Sequence, residues 1–117
     1  MIALGAGVRV YLAAGATDMR KSFDALATLV QETLAADPFS GHLFVFRNRR
    51  GDRIKVLGWD GQGYWLLYKR LEQGRFVWPA AEQAVVTVDS ATLTLLLSGV
   101  DWRRFSPPRI PRPQLAA

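Results

Sequence analysis

Apolar residues fall along this chain in two rhythms. Val8 to Leu12 is a short run of mostly apolar positions that predicts a strand. Gly15 and Thr17-Asp18 interrupt it. Thr17-Asp18 offers a helix cap, because a short oxygen side chain can accept from the free N–H groups of a first turn. Met19, Phe23, Leu26, Val30 and Leu34 then recur at steps of three and four, the stripe of an amphipathic helix, and Asp37-Pro38 ends it. The spacing predicts a helix over 18–36.

From residue 43 the rhythm changes to strands. Leu43 to Phe46, Arg53 to Trp59, Tyr64 to Lys69, Arg75 to Trp78 and Val85 to Val88 are short runs of branched and aromatic residues. In the second of these, Ile54 and Val56 share one face. Turn chemistry separates the runs. Asn48 to Asp52 contains Gly51, Asp60-Gly61 signals a hairpin, Gln73-Gly74 turns the chain, and Pro79 closes the fourth run. Short turns favour antiparallel neighbours. Asp89 or Ser90 can cap a second helix through Leu93, Leu96, Leu97 and Val100, with Gly99 near its stop. The expected fold is therefore α+β: a small single domain over 1–105, with an antiparallel β-meander of about five to six strands, an N-terminal amphipathic helix and a C-terminal helix. Residues 106–117, with Pro107, Pro108, Pro111 and Pro113 beside Arg109 and Arg112, predict a Pro/Arg-rich extended tail.

Composition narrows the class. The chain has 117 residues, is 50% hydrophobic and contains no cysteine. One core is affordable at that size, and neither a disulfide frame nor a thiolate site is available. No apolar run approaches the roughly 20 residues of a membrane span, and the start lacks the regions of a signal peptide, so a cytoplasmic location is expected.

The net charge of +5 is unevenly placed. Residues 47–75 carry eight basic and three acidic groups, and residues 101–117 carry four Arg and one Asp; the other segments are net acidic. The densest block is Arg47-Asn48-Arg49-Arg50-Gly51-Asp52-Arg53-Ile54-Lys55. Arginine suits phosphate contact, because a planar guanidinium can meet two phosphate oxygens at once.

Catalytic patterns are weak by comparison. His42 has no second ligand at a useful spacing, and a structural role fits it better. The serines lack a nucleophile elbow. Asp18, Asp37, Asp60 and Asp89 each read as a cap or turn residue rather than part of a two-metal cluster. Gly58, Gly61 and Gly63 lack the lysine and following helix of a phosphate loop. Trp59, Tyr64, Trp65, Tyr68, Phe76 and Trp78 could stack on bases, but large rings more often fill a core or an interface. Both faces of Tyr64 to Tyr68 are apolar, so both need a cover: a helix, the tail or another subunit. No catalytic residue, metal or cofactor is expected.

Several segments together resemble a known family. Thr17 to Asp24, Asp37 to Phe46, Trp59 to Gly63, Tyr68 to Pro79 and Gly99 to Arg103 occur in the order found in the TnpB-type accessory protein of bacterial insertion sequences of the IS66 family. That protein is encoded by the element's second reading frame and is unrelated to the RNA-guided nucleases that share the name TnpB. The resemblance covers roughly residues 8–105. Ser22 stands where Gly is expected, and Gly58 where a second Trp is usual. The resemblance implies a small protein that supports transposition beside a separate, larger transposase carrying the catalytic acids. Arg20, Lys21, Lys69, Arg70, Arg75 and Arg103 fall inside the family-like segments. With Arg47, Arg49, Arg50, Arg53 and Lys55 they form the candidate nucleic-acid-binding set. The expected partners are element-end DNA, the transposase and a second accessory protein, with self-association as a further option. The alternative is a protein-interaction module that docks on the transposase without touching DNA.

Overall fold

The computed structural model describes residues 7–104. Five strands form one sheet in the order β4-β3-β2-β1-β5: β1 (Val10–Ala16), β2 (Leu43–Arg47), β3 (Arg53–Trp59), β4 (Tyr64–Arg70) and β5 (Val85–Val88). The strands β2, β3 and β4 pair antiparallel, and β5 pairs antiparallel with β1. The meander does not extend to β1, which runs parallel to β2 with Val10 beside Leu43 and Leu12 beside Val45. The cause is the connection between them. Residues 17–42 hold α1 (Phe23–Glu32), and a parallel pair needs such a crossover, whereas a tight turn can only reverse the chain. The architecture is therefore α+β with a mixed sheet that opens on a strand, not on the helix.

Strand alternation gives the sheet two apolar faces, and each is covered. Val10, Leu12, Leu43, Val45, Ile54 and Val56 face Leu93 and Leu96 of α2 (Ser90–Leu97), together with Phe76. Ala13, Phe44, Phe46 and Leu57 face Leu26, Ala27 and Val30 of α1 and the nearby Leu34. Fully burying such a side chain contributes roughly 1.5–3 kcal/mol, so the two layers are both substantial.

The helix α1 is shorter than its apolar stripe. Asp18 does not cap it: the carboxylate accepts the Arg20 backbone N–H at 2.9 Å and pairs with the Arg20 guanidinium, forming a separate turn. Ser22 is the N-cap, although its hydroxyl makes no capping bond. At the other end Ala35 takes a left-handed backbone (φ 52°), and the Leu34 and Ala36 N–H groups bond back to the Leu29 and Val30 carbonyls, which closes the helix before Asp37. The helix α2 is capped as its sequence indicates, with the Asp89 carboxylate accepting the Thr92 N–H at 2.8 Å.

Arg75 to Trp78 is not a strand. The segment is fixed by single bonds instead: the Phe76 N–H donates to the Gly51 carbonyl at 2.8 Å, and the Trp78 indole donates to the Ala13 carbonyl at 2.9 Å. The Trp102 indole, in a short 3-10 turn (Trp102–Arg104), donates to the Val77 carbonyl. The segment thus crosses the α2 side of the sheet and buries Phe76. The Pro/Arg-rich tail lies outside the described residues.

Candidate nucleic-acid interface

Topology gathers the cations. The C-terminal ends of β1, β2 and β4 and the N-terminal end of β3 lie at one end of the sheet, by the parallel and antiparallel registers above. Arg47, Arg53 and Arg70 sit on those strand ends, Arg20 and Lys21 on the β1–α1 loop, and Arg49 and Arg50 on the β2–β3 loop. Arg75 joins them, because its side chain lies against Gly51. A surface cleft of about 400 Å³ separates the two loops, lined by Thr17, Asp18, Asn48, Arg49, Arg50 and Arg53 among others.

Asn48 builds the β2–β3 loop. Its side-chain oxygen accepts the Gly51 N–H at 2.9 Å and the Arg53 N–H at 3.0 Å, and its amide donates to Asp52 at 2.7 Å. That last bond, more than the nearby Arg50 and Arg53 charges, holds the Asp52 carboxyl below its ordinary range. Gly51 takes φ 79°, which a side chain would resist. The loop is therefore braced from inside, and it leaves Arg49 and Arg50 pointing to solvent.

The candidate cations divide by what they already hold. Arg49, Arg50 and Arg75 are exposed and make no side-chain hydrogen bond or ion pair among the described residues. Arg53 donates to the Tyr68 hydroxyl at 3.2 Å and keeps one edge of its guanidinium available. Arg20 is bound by Asp18 through Nε and Nη2, and this pairing pulls the Asp18 carboxyl down to about 2. Arg103 is held likewise by Asp101, and Arg70 pairs with Glu72 at 2.9 Å. Lys21 is half-buried, with its side chain beside the Asp18 charge.

Three cations stand apart from these. Lys55 is 6% exposed; its ammonium donates to the Lys21 carbonyl at 2.7 Å and lies 4.7 Å from the Tyr68 ring. Lys69 donates to the Leu97 carbonyl at the C-terminus of α2, where a cation is favoured. Arg47 donates to the Ala14 carbonyl at 2.9 Å and lies over the Trp78 ring. Each serves as an internal tie between elements. Lys55→Met keeps the stem but removes the donor, and is expected to cost about 1–3 kcal/mol in urea unfolding, the penalty of leaving a buried acceptor unsatisfied.

The aromatics and His42 occupy structural positions. Trp65 covers Gly58 on the α2 side, while Phe39, Trp59 and Tyr64 form a ring cluster at the end of the sheet opposite the cations. The His42 Nδ1 accepts the Arg9 N–H at 3.0 Å, and its ring meets Tyr11 edge-on. Among the described residues no three His, Asp or Glu side chains gather as a metal site, and no helix is long and apolar enough to cross a membrane. The sequence reading did not identify Asn48 as the brace of the loop. An Asn opening a turn that contains Gly was the available signal.

A helix-covered mixed sheet, with a cleft and arginines unpaired among the described residues at one end, defines a small α+β module. The chain belongs to the IS66 Orf2-like protein family, whose profile matches residues 8–107. It is similar to the uncharacterized protein y4hO of Sinorhizobium fredii (strain NBRC 101917 / NGR234), at 52% identity over 88% of this chain and 90% of that one. It is also similar to the uncharacterized protein y4jC of the same strain, at 36% identity over the full length of both. No solved structure matches. Membership gives the chain an accessory role in insertion-sequence transposition.

Proposed function

We propose that this protein is a non-enzymatic accessory factor that holds DNA phosphates at the basic end of its sheet during transposition. The observation that carries the reading is the convergence of the unpaired Arg49, Arg50 and Arg75 beside a braced loop and an open cleft. Guanidiniums that hold no carboxylate can meet a phosphate without first breaking an ion pair. Arg53 completes the set; Arg20, Lys21 and Arg70 lie at the same end as cations that share their charge with nearby carboxylates, and Arg103 is held by Asp101 on the turn after α2. Contacts of this type position a protein on DNA and carry little sequence information. The partners on this reading are element-end DNA and the transposase bound to it.

Fluorescence anisotropy on element-end and unrelated duplexes tests the reading. Four neutralised phosphates give a slope of log affinity against log salt near about −4 by counterion release. Absence of binding to either duplex at low salt would overturn it. In that event, co-purification with the transposase at high salt would favour a protein-interaction module. The Phe39, Trp59 and Tyr64 cluster, with Phe39 53% exposed, is the observation on that side.

A further inference from the structure

We infer that β4 is a self-pairing edge, through which two copies of this chain join in an antiparallel β4–β4 ladder centred on Leu67. The strand has β3 on one side and no described strand on the other. Alternate residues of its seven therefore present an outer row of backbone donors and acceptors, a template for pairing with another chain. The opposite edge, β5, is only four residues long. Tyr64 to Arg70 contains no Pro or Gly and confines its charge to Lys69 and Arg70, so the devices that usually blunt an edge are weak over most of its length. Leu67 and Tyr68 are 40% and 49% exposed on its two faces.

The sequence of the strand is complementary to itself. A two-fold axis at Leu67 places Leu67 against its copy, Leu66 against Tyr68, Trp65 against Lys69 and Tyr64 against Arg70. Each cation then faces an aromatic ring, a favourable pairing, and no like charges meet. Centring the axis on Lys69 or Arg70 instead sets a cation against its own copy. Directly opposite residues share a face, so α1 of both copies lies on one side of a continuous sheet and α2 on the other. An isologous pairing of this kind closes at two copies, because each β4 edge is consumed. The pairing also turns the two basic ends in opposite directions. It stands independently of DNA contact, since it uses none of the unpaired arginines.

Light scattering and sedimentation of the full chain, with and without substitutions at position 67, test the inference. The unsubstituted protein is expected to dimerise by about tens of micromolar, and Leu67→Lys or Leu67→Glu is expected to weaken the dimer at least about tenfold by setting like charges opposite each other. An equimolar mixture of the two variants is expected to restore it, since opposite charges then meet at the axis. A monomeric unsubstituted chain, unweakened variants or a mixture that stays monomeric would each overturn the inference. Far-UV circular dichroism verifies that the variants fold. If they do not, Leu67→Cys decides the matter, because the chain has no other thiol. Rapid formation of a disulfide-linked dimer under native conditions supports the pairing, and failure to cross-link overturns it.

Discussion

Gly58→Ala is expected to destabilise the protein by about 1–3 kcal/mol, the ordinary cost of overpacking. Gly58 lies in β3 directly opposite Trp65 of β4. The Trp65 indole rests on the glycine, so that a β-carbon at 58 would overlap ring atoms Cζ2 and Cε2. The ring would have to leave its seat beside the core of Val10, Leu12, Ile54 and Val56. The sign makes this substitution informative. In an unobstructed strand, Gly→Ala removes an entropic penalty and stabilises by roughly 0.5–1 kcal/mol. A melting temperature several degrees lower therefore reports the ring rather than the backbone. The double variant Gly58→Ala/Trp65→Ala should cost less than the sum of the single changes, because the clash disappears with the indole. An increase in melting temperature for Gly58→Ala alone would show that Trp65 does not sit on this glycine.

Local signals were legible in the sequence where chemistry and geometry coincide. Asp60-Gly61 marks the β3–β4 hairpin: Gly61 takes φ 96° and the Asp60 carboxylate accepts two backbone N–H groups of the turn. Asp89 marks the start of α2 for the same kind of reason. The errors arose where distant elements decide. Parallel pairing of β1 with β2 leaves no mark on either strand; the only trace is the length of the connection. Phe76 and Val77 have strand-like side chains, but the segment is tied by single bonds, from the Phe76 N–H to a loop carbonyl and from the Trp78 indole to a carbonyl of β1, and forms no ladder. Lys55 faces away from Ile54 and Val56, which by alternation alone reads as a solvated face. The α1 side covers that face, so the charge is turned inward to a backbone carbonyl. Segment charge marks the basic residues only as a stretch of chain. It could not separate arginines that hold carboxylates or carbonyls from those that hold nothing, because that division depends on the folded geometry.

Reversing Arg49 and Arg50 together is expected to lower affinity for DNA by about 100-fold at low salt and to flatten the slope of log affinity against log salt by about 2, one phosphate for each residue. Both side chains project from a loop whose shape is set by Asn48, Gly51 and Asp52, so changing them leaves the brace intact. The thermal transition of Arg49→Glu/Arg50→Glu should accordingly stay within about 1 kcal/mol of the unsubstituted protein, as is usual at exposed positions. Lys55→Met provides the opposite pattern: it removes the same formal charge as a single neutralised arginine, yet it should lower stability while leaving the salt slope unchanged. Comparing the two separates a specific phosphate contact from the general attraction of a basic protein for a polyanion. If the net charge alone governed binding, Lys55→Met and Arg49→Gln would reduce affinity equally. With phosphates held at the loop tip, only Arg49→Gln should flatten the slope, because only that guanidinium is free to release counterions from the DNA.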